Sequence, residues 1–178
     1  MPERDIDGLA GVQTSSLRNR LWPYLLLALL VIVLDQATKV AVLESFQPAE
    51  RLTLVPGFFD LTLLFNRGAA FSFLAQHDGW QRWFFIVVAF AASGFILYLL
   101  LNHLHQRMFS FALALILGGA LGNVIDRLLY GHVVDFLLFY QGSWYFPAFN
   151  VADSAITVGA ILLILDELLR MKRARSAT

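Results

Sequence analysis

Asp35, Asp126, Asp135 and Asp153 each lie in or beside a long apolar segment. A carboxylate at membrane depth is costly and persists where it has a partner or a task. Two carboxyl groups at one depth can divide acid/base hydrolysis between them. One takes a proton from water while the other donates one to a carbonyl or leaving group. Lys39 stands four residues after Asp35, a helical spacing that lets the pair neutralise itself on one face. Asn123, Asp126 and Arg127 are spaced i,i+3 and i,i+4, and the adjacent Asp126 and Arg127 are expected to form a structural ion pair. Asn150 and Asp153 are i,i+3, so Asn150 is expected to cap a helix start where Asp153 gains from the helix dipole.

Asp135 and Asp153 have no cation at helical spacing. Brought close, such a couple would share one proton, because like charges in a low dielectric resist joint ionisation. That is the arrangement of the aspartic proteases. Spacing alone leaves an alternative open, in which Asp153 is only a helix N-terminal acid and Asp135 a loop acid.

The elements that must carry these residues are membrane helices. Of 178 residues 58% are hydrophobic and 15% charged, against about 25% charged in an ordinary soluble domain. The absence of Cys excludes disulfides, thiolate zinc sites and a Cys nucleophile. The four histidines are scattered, and His103 and His105 are read as a solvated loop pair. No metal or cofactor is expected, and no basic stripe suggests nucleic acid. Apolar runs place helices over about 21–43, 83–101, 109–129 and 150–169. The first covers 23 residues, or roughly 34 Å at the helical rise, enough to cross a bilayer. A cleaved signal peptide is disfavoured there, since a small-residue cleavage site is missing and Asp35-Gln36-Ala37-Thr38-Lys39 continues the helix in register.

The expected fold is an all-α membrane protein: four transmembrane helices with a small extracytoplasmic β-sheet and a periplasmic loop. Residues 1–16 are read as a flexible tail, 17–170 as a single domain and 171–178 as a basic cytoplasmic tail. Arg18, Arg20, Arg107, Arg170, Lys172, Arg173 and Arg175 fall on one side, which makes both termini cytoplasmic. Leu52–Phe59 and Asp60–Phe65 read as two short strands around a Pro-Gly turn. Residues 130–149 read as an aromatic-rich outer loop forming an interfacial belt. Gly118 and Gly122 form a small-xxx-small pair that lets another helix approach. This threading gathers all four aspartates at one level near the outer face.

Five blocks then match a family in order: Asp35-Gln36-Ala37-Thr38-Lys39, Asn66-Arg67-Gly68-Ala69-Ala70-Phe71, Gly118 through Arg127, Val133-Val134-Asp135-Phe136 and Phe149-Asn150-Val151-Ala152-Asp153. From about Leu17 to Arg170 the chain resembles bacterial lipoprotein signal peptidase (signal peptidase II), an aspartic protease of the inner membrane. The resemblance implies that Asp135 and Asp153 are the catalytic dyad. It implies that Asp35, Lys39, Asn66, Gly68, Asn123, Asp126, Arg127 and Asn150 support the site or contact substrate. It further implies diacylglyceryl-modified prolipoproteins as substrates, cut before the lipidated Cys, membrane lipid as surroundings, inhibition by globomycin-type cyclic peptides, and no metal. A monomer is expected. The 52–71 sheet and the 137–147 loop are expected to clamp substrate, with Gly68 and Gly142 as flexible points. A proton channel, a helix scaffold and a lipid-modifying enzyme are rival readings, and the five ordered blocks disfavour all three.

Overall fold

The computed structural model describes residues 6–68 and 79–176, those before Arg20 as backbone alone. In chain order the elements are α1 (Ile6–Ser45), β1 (Arg51–Val55), β2 (Phe59–Asn66), α2 (Trp80–Asn102), α3 (Arg107–Leu129), β3 (Val133–Gln141), β4 (Trp144–Tyr145) and α4 (Val151–Ser176). Three stretches are long and apolar enough to cross a membrane: Arg20–Ser45, Trp80–Asn102 and Arg107–Leu129. α4 is long enough at 26 residues, but Asp153, Asp166, Glu167 and its basic end dilute its apolar character. The α1 backbone already begins at Ile6 and α4 runs to Ser176, so helix extends into both segments drawn as tails. Neither extension contains a proline until Pro23, and a formed helix adds residues more cheaply than it nucleates.

α3 is the hub and packs against α1, α2 and α4. Glycines set how closely it does so. A Cβ built at Gly118 would meet Ala28 O at 2.6 Å and Val31 Cβ at 2.8 Å on α1. One at Gly122 would meet Asp35 Oδ2 at 2.7 Å, while one at Gly119 would strike the Ala152 carbonyl of α4. The small-xxx-small pair therefore seats α1, and the glycine between them seats α4. Gly118→Val is expected to force α1 and α3 apart and cost about 1–3 kcal/mol, read as a lower Tm in detergent. An unchanged Tm would contradict this close packing.

The sheet runs β1-β2-β3-β4, antiparallel throughout. Phe58 N donates to Val55 O at 3.0 Å across Pro56-Gly57, and Gly57 has φ 78°. Pro at the second position and a positive φ at the third are the demands of a type II turn, so the hairpin expected from Pro-Gly is present. Residues 133–141 correct the expectation of a loop. Val133-Val134-Asp135-Phe136-Leu137-Leu138-Phe139-Tyr140 is rich in β-branched and aromatic residues and pairs along its length with β2. Phe136, expected in an interfacial belt, is buried with Val42, Leu63 and Val134. Trp144, Tyr145 and Phe146 are exposed.

Gly142 lies in the β3–β4 connection. Gln141 pairs with Trp144, so Gly142-Ser143 is a two-residue hairpin loop, and Gly142 takes φ 60°. Its glycine meets a turn requirement. Gly142→Pro is expected to break the β3–β4 hairpin, because proline cannot adopt positive φ. It should lower thermal stability together with any activity. Loss of activity at full stability would instead favour Gly142 as a flexible point.

Candidate active site

The sheet rests on the bundle at the end where α1 and α3 finish and α4 starts. A buried polar network is assembled there. Lys39 Nζ lies 2.8 Å from Asp35 Oδ2 and 2.8 Å from Asp126 Oδ2, and donates to Asn123 Oδ1 at 3.1 Å. An ammonium has three N–H donors, and these are three acceptors. Lys39 is 1% exposed and both aspartates 0%. The two carboxylates also accept backbone N–H groups from other elements. Asp35 Oδ1 accepts the Ala152 N–H in the first turn of α4 at 2.8 Å, and Asp126 Oδ2 accepts the Val134 N–H of β3 at 3.0 Å. One cation and two carboxylates thus tie α1, α3, β3 and α4 together.

The Asp35–Lys39 pair forms as its spacing suggests. The expected Asp126–Arg127 pair does not, because consecutive residues on a helix point to different faces. Arg127 instead donates to Gly68 O at 3.1 Å and Asn123 O at 3.3 Å, with its guanidinium 5.0 Å from the Phe85 ring centroid. Gln36 was missed as a contributor. Its amide donates to Asp126 Oδ1 at 2.8 Å and approaches Gly122 O and Asp35 Oδ2 at 3.2 Å. The available signal was a polar side chain next to Asp35 inside an apolar run.

Asp135 and Asp153 are brought together through asparagines. Asn66 Nδ2 donates to Asp135 Oδ2 at 3.1 Å, and Asn150 Nδ2 donates to Asp135 Oδ1 at 2.8 Å. Asn150 Oδ1 accepts the Asp153 N–H at 2.9 Å, the N-cap bond its position called for. Asn123 Nδ2 donates to Asp153 Oδ1 at 2.8 Å. Asn123 therefore joins Lys39 to Asp153, while Asn150 joins Asp135 to the start of α4. Burial pushes the Asp135 carboxyl up to about 7, and the neighbouring Asp153 charge adds to the rise against the lowering effect of the Asn66 and Asn150 amides. Gly68 enters through its backbone, its N–H bonding Asn66 Oδ1 at 3.0 Å and its carbonyl taking Arg127. All ten residues singled out in the sequence thus share one connected network. Ala69, Ala70 and Phe71 of the second block lie outside the described residues.

A cavity of about 610 Å³ opens beside this pair. Asn66, Asn123, Arg127 and Asp153 line one wall, and Phe146, Phe149, Ile156 and Val158 make the other largely apolar. Phe146 and Pro147 belong to the loop expected to clamp substrate, whereas the second turn of α4 adds lining that no local signal marks. The arrangement offers two carboxyl groups tied together through asparagine side chains, a cation held by backbone carbonyls, and an apolar trough alongside. Among the described residues no group of His, Asp or Glu is placed to hold a metal ion.

Comparison with known proteins places this geometry. The family described as signal peptidase (SPase) II matches residues 27–169. The lipoprotein signal peptidase of Burkholderia mallei (strain SAVP1) is 58% identical over 167 residues, covering 94% of this chain and 100% of that protein. A bacterial membrane enzyme solved by the in meso method at 2.3 Å resolution superposes with TM-score 0.78 at 31% identity, over 86% of this chain and 92% of that one. A second, solved at 1.9 Å, gives TM-score 0.74 at 29% identity over 83% and 94%.

Proposed function

Since the chain belongs to the signal peptidase II family of membrane aspartic peptidases, we propose that it removes the signal peptide from diacylglyceryl-modified prolipoproteins, cutting before the lipidated Cys. The observation that carries the chemistry is Asn150, whose single side chain bonds Asp135 through Nδ2 and the Asp153 backbone through Oδ1. Asp135 and Asp153 are the dyad. Both oxygens of Asp135 are held by amide donors and its carboxyl keeps a proton near neutrality. Asp153 lines the cavity and has only Oδ1 engaged by a side-chain donor among the described residues.

In the proposed reaction Asp153 takes a proton from water as the water oxygen bonds to the carbonyl carbon preceding the Cys. Asp135 delivers its proton to the carbonyl oxygen. The tetrahedral intermediate then collapses: one hydroxyl returns its proton to Asp135 as the C=O re-forms, the C–N bond breaks, and the Cys nitrogen leaves with the proton gathered by Asp153. The signal peptide gains a carboxylate and the lipoprotein a free amine. Asn66, Asn123 and Asn150 fix the carboxyl orientations, Arg127 ties the Gly68 turn to α3, and Asp35, Lys39 and Asp126 hold the elements in place. The apolar wall at Ile156 and Val158 fits a lipidated chain, which suits acyl tails remaining in the membrane.

We assign α4 as the fourth span, supported by exposed Val158, Ile161, Ile164, Leu165 and Leu168 along its outer face. The sheet-bearing end faces outward and both termini lie in the cytoplasm of a bacterial inner membrane. One chain supplies the whole dyad, so a monomer suffices. A globomycin-type cyclic peptide would inhibit by occupying the cavity across the dyad.

Mass spectrometry of products from lipidated and unlipidated precursors tests the proposal. A single cut before Cys in the lipidated substrate is expected. Equal turnover of the unmodified precursor, or a cut elsewhere, contradicts it. The proton on Asp135 also sets a pH limit. kcat/KM is expected to fall as pH rises through about 7, where Asp135 ionises. The fold holds that proton above the ordinary value of 3.8. The associated stability is therefore full below that value and lost as pH approaches about 7. A kcat/KM profile flat from neutral to alkaline pH would remove Asp135 as the acid.

A further inference from the structure

A second cavity, about 770 Å³, lies between the turn after β2, the start of α2 and the end of α3. It shares no lining residue with the catalytic cavity. Arg67, Arg82, Trp80, Trp83, Tyr130 and His132 line it. Neither arginine is in an ion pair with any described residue; Asp78 lies outside the described residues. Arg82 donates from one nitrogen to Leu128 O at 3.0 Å and lies 5.2 Å over the Trp83 ring. Its buried Nε has no hydrogen-bond partner among the described residues. The arginine is thus anchored with donor capacity to spare. α2 begins at this cavity after Gly79 with no acidic residue in its first turn, so the backbone N–H end of a long helix adds to the positive field. His132 is held below its ordinary pKa by burial first and then by the charge of Arg67, against the raising effect of Asp126.

The surroundings suggest where an anion would come from. Trp80 and Trp83 are more than half exposed and Tyr130 is also exposed. Rings with a polar edge settle at the headgroup layer of a bilayer, and guanidinium groups bind phosphate through paired, charge-assisted hydrogen bonds. We propose that this cavity binds the phosphate of a phospholipid headgroup through Arg67 and Arg82, favouring headgroups without a cation, such as phosphatidylglycerol, over zwitterionic ones. Arg67 directly follows Asn66, the donor to Asp135, so a bound headgroup would steady the turn at the edge of the catalytic cavity. The proposal rests on the membrane setting and is independent of the peptidase chemistry.

Native mass spectrometry of the full-length protein, released from nanodiscs of mixed phosphatidylglycerol and phosphatidylcholine, reads the site. Wild type is expected to retain one phosphatidylglycerol at roughly tenfold the occupancy of phosphatidylcholine, the scale of one lost charge-assisted contact. Arg67→Gln, which alters an exposed side chain, and Arg82→Gln are each expected to bring the ratio close to one. Equal retention of the two lipids by wild type overturns the proposal, as does a preference that survives in both variants. Inorganic phosphate titrated in detergent separates the sources. Displacement of retained lipid by excess phosphate supports a headgroup site. Saturable phosphate binding without any lipid preference assigns the cavity to a free anion and overturns it. Arg67→Gln alters an exposed side chain, so it still tests the cavity if Arg82→Gln folds poorly: a wild-type preference that survives in Arg67→Gln overturns the proposal.

Discussion

Lys39→Met is expected to destabilise the protein by about 3–5 kcal/mol, the usual cost of stranding a buried charge, and to abolish activity by disordering the site. Methionine matches the lysine stem in length and removes only the charge and its donors. Asp35 and Asp126 would be left buried without the cation that now lies 2.8 Å from each. These carboxylates also hold the Ala152 and Val134 N–H groups, so their disturbance reaches α4 and β3 together. Adding Asp35→Asn to Lys39→Met is expected to recover part of the loss, because the amide oxygen can still accept the Ala152 N–H and one unpaired charge disappears. Thermal unfolding in one detergent checks both variants. A Tm for Lys39→Met within a degree or two of wild type would show that the ammonium is not the tie between these elements.

The parts of this architecture legible in the sequence are those set by local rules. Long apolar runs mark the helices, Pro56-Gly57 marks a turn, and the i,i+4 spacing of Asp35 and Lys39 marks a pair that forms. Asn150 three residues before Asp153 marks an N-cap, and the cap bond is present. The misses are non-local. Lys39 chooses Asp126 across 87 residues as readily as Asp35 on its own helix, and no spacing rule reports that. Proximity in sequence misleadingly assigned Asp126 to Arg127. Residues 133–141 alternate poorly because the strand is largely buried on both faces, so a run fit for a central strand passed as an aromatic loop. With β3 unrecognised, Asp135 had no fixed orientation. Its bond to Asn66 exists only because β3 pairs with β2 so that Val133 faces Asn66 and Asp135 faces Leu64. The turn that Gly142 makes, with its positive φ, is likewise fixed by the β3–β4 pairing, which local sequence does not reveal. The uncharged members of the site are the hardest to read. Gln36 and Gly119 matter through contacts with α3 and α4, which a single helix does not reveal.

Asp135→Asn and Asp153→Asn are each expected to reduce cleavage on the order of 10⁴-fold, the upper range for loss of a positioned acid or base. The two losses should be far from additive, because in the proposed reaction the two carboxyl groups act as a unit. Their effects on folding should be small by comparison with Lys39→Met. An asparagine at 135 keeps an oxygen for one of its two amide donors and gains no buried charge. An asparagine at 153 keeps the oxygen that accepts from Asn123 and leaves the backbone N–H to Asn150 undisturbed. A scaffold role for these residues predicts the opposite ranking, with stability lost and no separate catalytic defect.

The measurement that bears most directly on the dyad is cleavage of a purified diacylglyceryl-prolipoprotein by wild type, Asp135→Asn and Asp153→Asn, with Tm recorded on the same samples. Loss of cleavage in both variants at a Tm close to wild type is the predicted result. Cleavage retained by either variant would contradict the dyad and move the chemistry to Asp35 or Asp126.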